Sequence, residues 1–350
     1  MSGVHQFVPM LHRGDAVGRH TMQLRNVLVA RGIDSRIYVE LVDPVTAAET
    51  ELASAYVEQC QPGDVLVYQF ATASQLAGWL TSRPETLVVN YHNVTPPELF
   101  AAWDNPLARH QLRARQELQL MAPRTALAVA VSAHNEAELR EAGFRSTSVV
   151  PPAAMLPSGA GPRTEVPGGN RWLMVGRMAP NKAIHHALMA LAVHRRHHDE
   201  TASLEIVGQS VVPAYTAALH RFTADLGLSD AVAFRGHVSD ELLAELMDQS
   251  DVLVITSEHE GFGVPIVEAL ERGLPVVANR AGALPEVLGD AGVLVDAGDP
   301  YATAAAIADL LSEPARQAQL ARAATRQLAA LDLATAADRF ADQVCSLRVI

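Results

Sequence analysis

Lysine is almost absent from this chain: of 27 basic residues, Lys182 alone is a lysine and the rest are arginine. In so biased a composition a stray surface lysine is improbable, and Lys182 marks a place where a compact ammonium serves and a forked guanidinium does not fit. Cysteine is scarce as well. Cys60 and Cys345 lie far apart and in no metal-like spacing, so a reduced, cytoplasmic protein is the default expectation. Long apolar runs are missing: the uncharged stretch 65–82 contains Gln69, Thr72, Ser74, Gln75, Thr81 and Ser82, all costly in lipid, and no transmembrane span is expected. The start, MSGVHQFVPM, lacks a charged segment followed by a long apolar one, so no signal peptide is expected. Positive charge is in deficit too. A formal net charge of -12 argues against a general nucleic-acid binder, and an anionic ligand would need a local positive site.

What is present is the composition of an α/β enzyme, with 49% hydrophobic and 19% charged residues over 350 positions, enough for two domains with a core each. Short apolar runs alternate with helix-like segments, the pattern of parallel sheets with helices on both faces. Strands are predicted at 4–10, 35–40, 64–70, 86–92, 126–132 and 147–150, and helices at 16–31, 46–60, 74–81, 97–120 and 135–142. Segment 151–170 concentrates Pro and Gly without periodicity and reads as an interdomain linker. Beyond it strands are predicted at 172–176, 204–207, 232–234, 251–256, 275–279 and 292–295, followed by an Ala- and Leu-rich helical tail over 314–349. The charge is uneven: residues 1–165 hold 13 Arg and 16 acidic residues, whereas 166–350 hold 14 basic and 23 acidic ones. Arg109, Arg113 and Arg115 form either a basic docking patch or an ordinary solvated helix face.

The densest chemistry lies in 251–278, DVLVITSEHEGFGVPIVEALERGLPVVA. A buried strand runs into Glu260-Gly261-Phe262-Gly263 and then into a helix from Val264 closed by Gly273. Two glycines around one aromatic leave backbone N–H groups facing a ligand at the positive end of the helix. Glu260 and Glu268 frame the turn, and carboxylates suit vicinal hydroxyls, although a Glu before a helix also complements its dipole. Arg177 and Lys182 follow another predicted strand and precede a helix, which suits a diphosphate. At about 4 Å and an effective dielectric of about 20, each pair gives roughly 4 kcal/mol before desolvation, against at most about 2 kcal/mol from a helix end. In the first half, Gly14 and Gly18 sit in the first strand-to-helix loop, where a structural turn is an equal reading. Tyr91, His92 and Asn93 end a strand just before Pro96-Pro97, at the edge where a sheet of this kind binds ligands.

The spacing of Glu260 and Glu268, with the Gly-Phe-Gly turn, resembles the E-x7-E signature of the retaining glycosyltransferases of family 4, or glycosyl transferases group 1. The likeness is strong over the second half and weak over the first. It implies a GT-B fold: two facing Rossmann-like domains with parallel sheets, and a C-terminal helix crossing back to the first. The corresponding expectation here is an acceptor domain over 1–160, a nucleotide-sugar domain over 161–335 and a crossover helix over 336–350. The resemblance assigns His92 to the transferred sugar, Gly14 and Gly18 to the loop near donor phosphates and acceptor, and Arg177 and Lys182 to the diphosphate. Gly208 approaches the nucleotide, the backbone of Gly236, His237 and Val238 holds the base edge, and Glu268 holds the ribose. Glu260 and the N–H groups of Gly261, Phe262, Gly263 and Val264 hold the sugar and phosphate.

The expectation is therefore a retaining hexosyltransferase using a nucleotide-diphosphate sugar, UDP first and GDP second, and a hydroxylated small-molecule, glycan or lipid-linked acceptor. His92, Glu260, Arg177 and Lys182 would be its catalytic groups. No D-x-D or His-rich metal spacing requires Mg²⁺, so no cofactor and a metal-independent reaction are expected, with cations doing that work. A sugar-nucleotide epimerase and a catalytically silent GT-B subunit remain the alternatives.

Overall fold

The computed structural model describes residues 2–152 and 168–348. Most of the expected linker at 151–170, the expected boundary at 160/161 and the last two residues lie outside the described residues. Contacts divide the chain into two units, the first made of Met1–Pro97, Pro106–Met155 and Asp332–Ile350, the second of Glu98–Asn105 and Leu156–Leu331.

In the first unit the strands are β1 (Val4–Val8), β2 (Ile37–Val39), β3 (Thr50–Leu52), β4 (Val65–Phe70), β5 (Thr86–Tyr91), β6 (Thr125–Ala130) and β7 (Thr147–Val149). They pair in the order β3-β2-β1-β4-β5-β6-β7, every pair parallel. Such a sheet is covered on both faces, which is why β1 and β4 are buried at every position.

A single helix was expected over 46–60, and the structure corrects this. Edge strand β3 pairs Ile37 with Thr50, and only Tyr56–Gln59 forms an α-helix, after a 3-10 turn over Ala53–Ala55. Tertiary packing overrides local helix preference: Tyr56 enters an aromatic cluster, its ring 5.4 Å from Phe7 and 5.3 Å from Tyr38, and its hydroxyl donates to Asp64 Oδ2 at 2.9 Å. The expected helix over 97–120 is likewise two, Glu98–Ala101 and Asn105–Met121.

The last helix, Leu333–Cys345, packs in the first unit although it follows the second in sequence. Ala336, Ala337, Phe340, Ala341 and Val344 recur at helical spacing and bury against Val4, Leu24, Leu28, Val65, Val67, Val88 and Val129. Arg31 donates to Asp338 and Asp342 at 2.6 Å each on the exposed rim. The left-handed Asp332 (φ 47°) separates this helix from Pro314–Leu331, so the expected tail is broken in two.

The second unit contains β8 (Arg171–Val175), β9 (Ser203–Val207), β10 (Val232–Gly236), β11 (Val252–Ile255), β12 (Val276–Asn279) and β13 (Val293–Val295). Their order is β10-β9-β8-β11-β12-β13, all parallel. Counted from β8 this is the 3-2-1-4-5-6 order of doubly wound dinucleotide folds, and the first unit has the same order with β7 added at one edge.

Candidate functional site

In an open parallel sheet the ligand crevice lies beyond the carboxyl ends of the strands, where the strand order reverses. In the second unit that point is between β8 and β11. Their ends run into the turns that carry Arg177 and Lys182 on one side and Glu260 to Val264 on the other. The sequence-predicted residues of the second half thus converge on one edge of one sheet.

Several hydrogen bonds lock the two turns together. Thr256 Oγ1 donates to the carbonyls of Lys182 (3.1 Å) and Ala183 (3.0 Å), Glu258 N donates to Asn181 O (2.9 Å), and Asn181 Nδ2 to His259 O (3.3 Å). From β12, Asn279 Nδ2 donates to Ser257 O at 3.0 Å, while its Oδ1 accepts from the N–H groups of Arg280 and Ala297. The helix Val264–Arg272 starts at Gly263 (φ 94°), places Ile266, Val267, Ala269 and Leu270 in the core and ends at Gly273 (φ 68°). The N–H groups of Gly261, Phe262, Gly263 and Val264, in the turn leading into the helix and at its start, have no backbone acceptor among the described residues.

Within this frame Lys182 Nζ donates to both oxygens of Glu260, at 2.7 and 2.6 Å, with side chains only 14% and 12% exposed. The two residues that the resemblance places on diphosphate and sugar are therefore paired with each other. Arg177 is exposed and makes no ion pair among the described residues. Glu268 is buried in the helix, and Phe262 is buried in the turn. Gly208 closes β9 at φ 150°, where a Cβ would run into the carbonyl of Gly176. Its N–H donates to Gly236 O at 2.8 Å, while His237 is exposed and Val238 half-buried.

Sequence reasoning missed Gly282 as a site residue. At φ 56°, a Cβ here would lie 2.5 Å from Glu260 O and 2.9 Å from Glu260 N, so this loop packs directly on the backbone that aims Glu260. Ala283 N donates to Glu260 O at 3.0 Å from the same loop. A glycine near a strand end was the available signal.

Ala183 joins the Lys182 turn to the next helix in the left-handed region (φ 45°, ψ 44°), with its methyl fully buried. For a non-glycine residue that conformation costs about 1–2 kcal/mol. Ala183→Gly would relieve it but forfeit a methyl contact of about 0.8 kcal/mol and some chain entropy. We expect a change within about 0.5 kcal/mol, against a loss of about 2 kcal/mol for Ala187→Gly at a fully buried position inside the helix Ile184–His197. Denaturant midpoints of the two variants check this.

In the first unit, three neighbouring buried strands each contain one amide: Gln6 in β1, Gln69 in β4 and Asn90 in β5. They form a relay. Gln6 Nε2 donates to Thr21 O (2.9 Å), Gln69 Nε2 to Gln6 Oε1 (2.7 Å), and Gln69 Oε1 accepts from Asn90 Nδ2 (2.8 Å) and from His92 Nε2 (2.7 Å). Because Gln69 offers an oxygen, His92 carries its proton on Nε2 and keeps Nδ1 as an acceptor. Burial, with the nearby His20 ring (centroids 5.4 Å apart) as a second cause, holds the His92 pKa well below its usual value. Gly14 is exposed in the loop beyond β1. Gly18 lies inside the following helix, where its N–H donates to Asp15 Oδ1 at 2.7 Å and a Cβ would strike the carbonyl of His12.

A cavity of about 600 Å³ lies at the opposite edge of the second sheet, where Asn170 and Asp251 precede β8 and β11, and His194, His197 and His198 help to line it. His194 is satisfied there, with Nδ1 3.2 Å from Ala304 O and Nε2 3.0 Å from Asn170 Nδ2. Its imidazole is a structural cross-link between elements, at the wrong end of the sheet for the crevice.

Two doubly wound parallel sheets, with the last helix returned to the first unit, define the GT-B fold. The model of the family described as glycosyl transferases group 1 matches residues 163–327, within the second unit's sequence. A D-inositol 3-phosphate glycosyltransferase of Streptomyces avermitilis is 34% identical over 49% of this chain and 38% of its own. A glycogen synthase of Mycobacterium tuberculosis is 28% identical over 71% of this chain and 62% of its own. This chain thus spans about two fifths of the length of the first of these relatives and less than two thirds of the second. Among solved structures, Anabaena HepE in complex with UDP and glucose superposes with a TM-score of 0.79 at 18% identity, covering 98% of this chain and 100% of that one. At that identity the likeness is one of fold. No helix among the described residues is long and apolar enough to cross a membrane.

Proposed function

We propose that this protein is a retaining glycosyltransferase that moves a hexosyl unit from a nucleoside-diphosphate sugar to a hydroxyl acceptor. The observation that carries the reading is the Lys182–Glu260 pair at the point where the strand order of a group 1 domain reverses. A cation and a carboxylate held 2.6 Å apart on two locked turns offer complementary partners to a diphosphate and to sugar hydroxyls. Donor binding then exchanges partners: the diphosphate takes Lys182, with Arg177 beside it, and Glu260 turns to the sugar. Glu268 holds the ribose. The N–H groups of Gly261, Phe262, Gly263 and Val264 serve the sugar and phosphate, and Gly208, Gly236, His237 and Val238 border the nucleotide.

In the proposed reaction the bond between the anomeric carbon and the leaving phosphate oxygen breaks while the acceptor oxygen bonds to the same face. The acceptor proton passes to the leaving phosphate. Catalysis is positioning plus stabilisation of the departing diphosphate by Arg177 and Lys182, with no metal required for that charge. His92 acts as an uncharged hydrogen-bonding group toward a sugar hydroxyl, and Gln69 fixes which nitrogen it presents. UDP-sugars are the first donors to test, since UDP and glucose are the ligands of the HepE structure. GDP-sugars come second.

The reading is tested by incubating each donor with and without a panel of hydroxylated acceptors. Acceptor-dependent release of nucleoside diphosphate with retained anomeric configuration is the expected result. Interconversion of the donor alone would make the protein an epimerase, and donor binding with no turnover would make it a silent subunit.

A further inference from the structure

Beside the Lys182 turn, the second unit brings together three metal-ligating side chains that the transfer reaction does not use. His185 and His186 open the helix Ile184–His197, and Glu258 stands on the turn after β11. One ligand atom of each lies within 4.8 Å of the others, and the two imidazole rings are 4.2 Å apart. We propose that His185, His186 and Glu258 form a binding site for a first-row transition-metal ion of the Zn²⁺ class.

Two further observations support this assignment. His186 Nδ1 is buried and has no hydrogen-bond partner among the described residues, although buried nitrogens ordinarily find one. A metal ion would supply the missing partner. His185 Nδ1 lies 3.1 Å from Tyr215 Oη, which leaves Nε2 as the nitrogen that can face an ion; binding there requires Nδ1 to donate to the hydroxyl. A histidine whose second nitrogen is held by an outer partner is the usual state of a metal-ligating imidazole. Tyr215 is itself buried and held edge-on by Trp103 at 5.0 Å.

Two imidazoles and one carboxylate are a borderline donor set. It suits Zn²⁺, Co²⁺ or Ni²⁺ and leaves a position for water, whereas Mg²⁺ and Ca²⁺ prefer oxygen ligands. Donors on a tetrahedral ion sit about 3.3 Å apart when metal–ligand bonds are about 2.0–2.1 Å, so modest side-chain rotation closes the site. Glu258 is exposed, which gives an ion access from solvent. Such an ion would staple the turn that carries Glu258 and Glu260 to the helix that follows Lys182. It would act on the rigidity of those turns and would not be a group on the diphosphate.

The test is a titration of the tag-free full chain with Co²⁺, followed by its visible absorption, in parallel with Zn²⁺ and thermal unfolding. Wild type is expected to bind one equivalent with the strong absorption of a low-coordinate site, and Zn²⁺ to raise its melting temperature. His186→Ala and Glu258→Gln should each weaken Co²⁺ binding by at least about tenfold and remove the Zn²⁺-dependent rise. Glu258 is exposed and its replacement by Gln is isosteric, so that variant keeps the fold and the question stays answerable. No saturable absorption in wild type, or equal affinity in both variants, would overturn the proposal. Neither result bears on sugar transfer, which is assayed separately.

Discussion

Lys182→Met is expected to weaken binding of the sugar donor by about 100-fold. A charge-assisted contact to phosphate is worth about 2–5 kcal/mol when one partner is truncated. Because Lys182 leaves Glu260 to make that contact, the lower half of the range applies, and about 3 kcal/mol corresponds to about two powers of ten. The variant also strands a carboxylate whose side chain is only 12% exposed, so some stability goes with it. The double variant Lys182→Met/Glu260→Gln removes both charges, restores most of that stability and still fails to bind donor. Glu260→Gln alone behaves differently: it frees Lys182, so nucleoside diphosphate without sugar binds as well as in wild type or better, while the sugar donor loses affinity and turnover. Calorimetric titration of the three variants with nucleoside diphosphate and with its sugar separates these outcomes.

Acidification is expected to destabilise the first unit steeply. Burial drives the His20 pKa down to about 4, and His92, beside it, also lies well below its usual value. In the unfolded chain each would bind a proton below about pH 6.5, whereas in the folded protein it does not. The unfolded state therefore holds more protons in this window, so stability that is complete above about pH 6.5 is lost as pH falls toward the folded pKa. Each such histidine contributes a slope of about 1.4 kcal/mol per pH unit, and His20 alone accounts for about 3 kcal/mol between about pH 6.5 and 4. His20→Leu removes the titrating group and the unpartnered His20 Nδ1 with it. Between about pH 7.5 and 5 the variant should lose about 2 kcal/mol less than wild type, as measured by denaturant unfolding at each pH. Equal losses would mean that His20 is not held neutral.

The residues that could be read from the sequence are those whose chemistry is local. Glu260, Gly261, Gly263 and Glu268 follow a strand and open a helix within one short segment, and Lys182 stands out because the chain contains no other lysine. The α/β class was legible because short apolar runs alternate with helix-like segments, and the GT-B fold through the resemblance that the Glu260–Glu268 segment carries. What the sequence hid depends on register and long-range packing. The Lys182–Glu260 pair joins positions 78 apart. The Gln6, Gln69 and Asn90 relay exists because β1, β4 and β5 are neighbours, with Gln69 opposite Asn90. One amide in each of these buried strands was the available sign of it, since a buried polar group must find partners. Strand β3 was hidden by helix-favouring residues at 46–60, and only the pull of the Phe7, Tyr38 and Tyr56 cluster accounts for it.

The central claim is that the crevice between β8 and β11 holds a nucleoside-diphosphate sugar through Lys182. The most direct measurement is a thermal-shift series of wild type and Lys182→Met/Glu260→Gln with UDP-, GDP- and dTDP-sugars, because a ligand that binds the native state raises its melting temperature. The account predicts a concentration-dependent rise for at least one of these donors in wild type, with UDP-sugars first, and none in the double variant at the same concentrations. An equal rise in both proteins would contradict it.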